Sequence, residues 1–227
     1  MTFSLVGRCA RTGMVGVAVS SSSPAVAARC AHARAGVGAA ASQNVTDPRL
    51  GPLMLELIES GRSAQEAVTA VVKRAPHAEH RQLTAVDPIG GSGAFSGART
   101  LGVHGTALGV GAAAAGNLLA DAAVPAAMLR AFAARADDDL GDRLMAALAA
   151  GLAAGGEVGP VHSAGLLVCD QESWPLTDLR VDWDDAPIDR LGQLWELWKP
   201  QAGAYVTRAI DPDAAPSYGV AGDDGDG

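Results

Sequence analysis

Aromatic residues are scarce in this 227-residue chain, at 4 % of positions, and only two lysines occur, Lys73 and Lys199. With so few rings to fill an interior, a core has to be built from small aliphatic side chains on closely spaced backbones. Lysine-dependent mechanisms have almost nothing to draw on. Cysteine is nearly as rare, and Cys9, Cys30 and Cys169 form an odd, widely spaced set. Such a set excludes a disulfide framework, and no CxxC pair is present to hold structural zinc. Basic charge is short as well. The formal net charge of −8 excludes nucleic acid and anionic membrane as main partners, since both need a basic face. Long apolar runs are missing: the most apolar later stretches, 107–134 and 144–155, are Ala/Gly-rich and are broken by Gly116-Asn117, Asp121, Pro125 and Arg130. The amino-terminal segment has neither a basic region nor an apolar one, so a secretory signal is not expected and a soluble cytoplasmic protein is.

What is present points to a packed domain. Hydrophobic residues make up 48 % of the chain and charged ones 19 %, and alanine contributes roughly a fifth. Phe3 to Arg8 and Met14 to Val19 read as two strands joined at Thr12-Gly13. A polar loop, Ser20 to Pro24, leads into an Ala-rich helix over 25–34, followed by a small-residue strand over 35–41 that ends in Ser42-Gln43-Asn44. Two helices come next, the second opened by the capping box Ser63/Glu66. Strands follow at 81–87, 92–96 and 107–115, then helices at 121–136 and 140–154, then strands at 165–169 and 178–182. A last amphipathic helix, 187–199, carries Leu191, Leu194, Trp195 and Trp198, whose aromatic stripe suits either the core or a homodimer interface. Hairpins dominate where a doubly wound fold would alternate strand and helix, and no GxGxxG follows the first strand. The pattern predicts an α+β sandwich.

The chemistry turns on the second residue. A small residue after Met1 favours removal of the initiator methionine, which leaves Thr2 with a free α-amine beside its hydroxyl. With an ordinary amine pKa near ~7.7–8.0, a useful fraction is neutral at physiological pH and can take the hydroxyl's proton. The hairpin that follows would bury this chain start in a sheet. Asn117, where a strand meets a helix, is a candidate oxyanion donor or helix N-cap. Gln43 and Asn44 end the third strand, on the same sheet edge as Thr2 if the hairpin order holds, as site candidates or turn residues, and Ser20 and Ser21 are candidate pocket-lining hydroxyls. His162, ahead of a strand, could serve substrate binding or acid/base work. Arg81 could bind a carboxylate or pair with Glu79 or Asp87. His77/His80 and Cys30/His32 lack a third ligand in register, and no GxSxG elbow occurs. Neither a metal nor a cofactor is expected.

Several segments together resemble the domain-of-unknown-function family 1028. They are Thr2–Arg8, Thr12–Val19, Ala33–Ala39, Asp47-Pro48-Arg49-Leu50-Gly51-Pro52, Arg81–Thr84, Ala94–Gly97, Ala115-Gly116-Asn117-Leu118-Leu119, Ser163–Leu166 and Asp178–Asp182. The resemblance spans 2–185. It implies a four-layer αββα sandwich of two antiparallel sheets, similar to the N-terminal-nucleophile hydrolases. There the first residue of the first strand attacks an amide carbonyl and its own amine serves as base. Thr2 stands at that position, and the implied partner is a small or cyclic amide substrate. Two departures stand out. Proteasome-like members of that superfamily carry a lysine on the third strand, where this chain reads Gly38-Ala39-Ala40-Ala41. Ser20 to Ser23 also replace the cation many family members have after the second strand, so hydroxyls and backbone dipoles would have to tune the amine. The expected organisation is a domain over 2–185, a helical extension over 186–210 and an acidic, largely disordered tail over 211–227. A non-catalytic small-molecule-binding or assembly protein on the same fold is the alternative to an amidohydrolase.

Overall fold

A computed structural model of the protein describes residues 2–221. The expected removal of Met1, and the end of the acidic tail, lie outside them. In chain order the elements are β1 (Thr2–Arg8), β2 (Val15–Ser21), α1 (Ala27–Cys30), β3 (Ala31–Arg34), β4 (Gly38–Asn44), α2 (Leu50–Glu59), α3 (Ala64–Arg74) and β5 (Arg81–Val86). They continue with β6 (Ser92–Ser96), β7 (Gly105–Gly109), β8 (Ala112–Asn117), α4 (Val124–Ala133), α5 (Leu140–Ala153), β9 (Ser163–Cys169), β10 (Thr177–Val181), α6 (Pro187–Trp198) and α7 (Ala202–Ile210). The protein is α+β, with a six-stranded sheet ordered β10-β9-β2-β1-β8-β7 and a four-stranded sheet ordered β3-β4-β5-β6. Every strand pair is antiparallel.

Alternation along the strands explains the stacking. On β1, Phe3 and Leu5 point outward into a cluster with Met128 and Phe132 of α4 and Leu144 and Leu148 of α5. Val6 points the other way, meeting Val17, Ala39, Ala41, Val86 and Ala113 between the two sheets. On the far side, Leu83 and Ala85 of β5 pack on Met54 and Ile58 of α2 and Val68 and Val71 of α3. Each fully buried Phe or Leu in these layers contributes ~1.5–3 kcal/mol of transfer free energy. The small residues permit the close approach. A Cβ on Gly7 would stand 2.7 Å from the Phe132 ring, so the helix layer would have to move outward to admit one.

Several expectations change. The segment 25–34 contains one helical turn and then the edge strand β3, because Gly36 in a left-handed turn (φ +70°) folds 31–34 back onto β4, and that pairing outweighs alanine's helix preference. The single strand expected over 107–115 is a hairpin of β7 and β8, turned at Gly111 (φ +71°). The capping box is present: the Ser63 hydroxyl accepts from the Glu66 N–H, while Glu66 accepts from the Ser63 N–H. Trp195 joins the core with its Nε1 donating to Asp142 Oδ1 at 2.8 Å. A further helix, α7, follows it, and the chain beyond folds back so that Arg208 stacks on Tyr218.

Candidate functional site

Thr2 opens β1, the strand that sits between β2 and β8 in the six-stranded sheet, and is only 4 % exposed. Register places Asn117, the last residue of β8, directly opposite it, and Phe3 opposite Ser20 brings Ser21 alongside. Because side chains alternate, Thr2, Ser4 and Val6 share the inner face of β1. The Thr2 hydroxyl lies 3.5 Å from Ser21 Oγ. Ser21 Oγ in turn is 2.8 Å from Ser23 Oγ, on which the Arg29 guanidinium donates at 2.6 Å. A cation therefore stands two hydroxyls away from Thr2, where the sequence had suggested hydroxyls and backbone dipoles only.

Behind Thr2 the inner face stays polar. The Ser4 hydroxyl donates to Gln43 Oε1 at 2.6 Å across the gap between the sheets. Gln43 Nε2 donates to Gln82 Oε1 at 2.7 Å, and Asn117 Nδ2 donates to the same oxygen at 3.2 Å. Gln82 Nε2 is shared among Ser96 Oγ and the Gly105 and Gly116 carbonyls, at 2.9, 3.3 and 3.0 Å. All four side chains, Ser4, Gln43, Gln82 and Asn117, are at most 1 % exposed. Buried amides of this kind hold position only when their bonds are made, so the network braces the chain start from below.

Glu157 completes the rim. It lies in the connection from α5 to β9, where it forms an isolated bridge with Leu119, and its carboxylate accepts from the Ser22 N–H at 3.1 Å. Burial pushes its carboxyl above the usual range, while the bonds from Ser22 and the neighbouring His162 pull the other way. Sequence reading passed over both Glu157 and Gln82. An acid inside the Gly-rich stretch Gly155-Gly156-Glu157-Val158-Gly159 carries no local pattern. Gln82 did leave a trace, as a polar residue on the same strand face as core Val86.

The other expected site residues divide. Gln43 belongs to the second sheet and reaches the Thr2 strand across the gap, not along a shared edge. Asn44 turns away, with its Nδ2 on the His80 carbonyl and its Oδ1 accepting from the Leu101 N–H, so it ties loops together. Ser20 lies on the opposite face from Thr2, with its hydroxyl on the Ser163 carbonyl at 3.0 Å. Asn117 closes β8 and does not cap a helix, since α4 begins at Val124. His162 stacks on Trp183 with ring centroids 4.3 Å apart, and its Nδ1 is 3.6 Å from Asp185 Oδ1. The Arg81 guanidinium donates to the Val45 carbonyl. Its expected partners are engaged elsewhere, Asp87 by the Ala64, Ile89 and Gly91 N–H groups and Glu79 by that of Ala98. Among the described residues no cluster of three metal-ligating side chains occurs, and no helix is long and apolar enough to cross a membrane.

Two antiparallel sheets with a buried polar cluster at the start of the first strand define an α+β sandwich protein with its candidate site between the sheets. The chain belongs to the family of unknown function DUF1028, whose model matches residues 2–191. A DUF1028 protein from Silicibacter pomeroyi, known from its crystal structure, is 31 % identical with a TM-score of 0.82, over 90 % of this chain and 89 % of that one. The Anbu (ancestral beta-subunit) protein of Yersinia bercovieri aligns at 10 % identity and a TM-score of 0.39, over 89 % of this chain and 96 % of that one. Anbu from Hyphomicrobium sp. strain MC1 aligns at 11 % identity and a TM-score of 0.41, over 96 % and 100 %. No curated protein matches the chain.

Proposed function

We propose that the protein is an amidohydrolase of the N-terminal-nucleophile type, acting on a small or cyclic amide through Thr2 once Met1 has been removed. The observation that carries this reading is the placement of Thr2: the first residue of a central strand, nearly buried, with its hydroxyl beside Ser21 and a braced polar layer beneath. In the proposed reaction the Thr2 α-amine takes the proton of Oγ1, and Oγ1 adds to the amide carbonyl carbon. The C–N bond breaks as the α-ammonium returns its proton to the leaving nitrogen, which leaves an ester on Thr2. Water, deprotonated by the same amine, then attacks the ester; its C–O bond breaks and Oγ1 recovers the proton. The Glu157 carboxylate, at the same end of the sheet, would favour the ammonium form transiently created in each half. Two antiparallel sheets with helices against them are compatible with this chemistry, and the steps as written use no cofactor.

Intact mass of the purified protein, followed by turnover of a panel of small amides and cyclic ureides, tests the reading. We expect a mass lacking Met1, and a loss of about 10³-fold or more in turnover for Thr2→Ala with an unchanged melting temperature. Retention of Met1, or equal turnover by both proteins, would overturn it. A processed protein that binds members of the panel without hydrolysing them would instead be the non-catalytic binder.

A further inference from the structure

In the polar layer beneath Thr2 the Asn117 Oδ1 acceptor has no partner among the described residues, and on the same face of β5 the buried Thr84 hydroxyl has none either. The orientation of every amide in that layer follows from fixed points. Gln82 faces the Gly105 and Gly116 carbonyls, which can only accept, so that end of Gln82 is its NH₂. Its oxygen therefore points back towards Gln43 and Asn117, and both must present donors to it. Gln43 Oε1 is thereby turned to Ser4, whose hydroxyl donates. Asn117 is left with Oδ1 facing away from Gln82, and this oxygen has no partner although the residue is 0 % exposed. Flipping the Asn117 amide would set two oxygens against each other. The side chain thus presents Oδ1 as an acceptor, while the second hydrogen of Nδ2, whose bond is the one to Gln82, remains able to donate.

An unpaired buried acceptor is destabilising, and a native fold keeps one where water or a ligand can fill it. Asn117 lies directly across from Thr2 in the β1–β8 register and on the same inner face. A molecule whose carbonyl reaches Thr2 Oγ1 would carry its adjacent nitrogen past Asn117. We infer that Asn117 Oδ1 accepts an N–H from the bound ligand, so that the site takes an amide or ureide with at least one N–H beside the reacting carbonyl. Esters and fully N-alkylated amides would leave the oxygen unpaired and are rejected. A site that must hydrogen-bond one group discriminates strongly against analogues lacking it. This assignment rests on the reading of Thr2 as the group that meets the ligand carbonyl, but it does not require that hydrolysis follow.

The test is an NMR titration of the full chain with hydantoin and with 1,3-dimethylhydantoin, following the Asn117 side-chain amide. Hydantoin is expected to bind about tenfold or more tightly than the dimethyl compound, in the wild type and in Thr2→Ala alike. Asn117→Leu should erase the preference; should that variant fail to fold, the comparison of the two compounds on wild-type protein still decides. Equal binding, no binding of either compound, or a preference that survives in Asn117→Leu overturns the assignment. Turnover of hydantoin without such a preference would remove the role of Asn117 and leave the nucleophile standing. A preference without turnover would do the reverse.

Discussion

The space between the two sheets is built from different chemistry at its two ends. At one end Val6, Val15, Val17, Ala39, Ala41, Val86, Ala113 and Cys169 form a dry seam. Burial there, with Asp178 nearby, raises the Cys169 thiol to about 11, so it stays protonated and unreactive at physiological pH. At the other end, on the same strands, Thr2, Ser4, Ser21, Gln43, Gln82 and Asn117 replace the aliphatic side chains. The apolar end needs only volume to match. The polar end needs donors and acceptors matched as well, and there Asn117 Oδ1 is left without a partner. Amides thus stand in the same gap where valine and alanine serve further along the strands.

Breaking each end should have different consequences. The largest effect is expected for Gln82→Leu, which orphans the Gln43 and Asn117 NH₂ groups and the Gly116 carbonyl together. Chemical denaturation should show a loss of about 3 kcal/mol, and ligand binding at the Thr2 end should disappear with it. Val17→Ala, in the dry seam, should cost about 2 kcal/mol through lost contacts and a small cavity while leaving ligand affinity unchanged. If both variants weaken binding equally, the two ends are not functionally distinct and the comparison fails.

The smallest effect concerns Glu157. Its carboxyl is raised in the folded protein by burial, so between the ordinary glutamate pKa and the raised value the folded state holds more protons than the unfolded one. Stability contributed by this group is therefore full below the ordinary value and declines as pH rises through the raised one. Glu157→Gln keeps an acceptor for the Ser22 N–H and removes the titration. Thermal melts from pH 4 to 8 should show the wild type losing stability relative to the variant as pH rises; parallel curves would show that Glu157 titrates alike in the folded and unfolded states.

Local features were readable along the chain. The first hairpin, the capping box at Ser63 and the small residues of the strands follow from spacing and residue type. The place of Thr2 at the head of β1 was legible for the same reason, since the strand pattern begins at once after it. Other assignments went astray where distant pairing prevailed, as in the alanines of β3, which look helical until β4 claims them. Asn44 and Ser20 looked equivalent to their neighbours Gln43 and Ser21, and a one-residue difference placed each on the opposite face of its strand. Glu157 had no signal at all, because its meaning comes from Ser22, 135 residues away in the chain.

The shortage of lysine and aromatics thus had two outcomes of different origin. Closely packed sheets of small residues were already written in the composition, because backbone approach is limited by side-chain size at each position. Which polar groups meet at the head of β1 was settled by strand order and register, which join residues 2, 43, 82 and 117 through contacts that no local spacing encodes. The same folding brought Arg29 and Glu157 to the serine loop, where charge and burial act over ångströms and not along the chain.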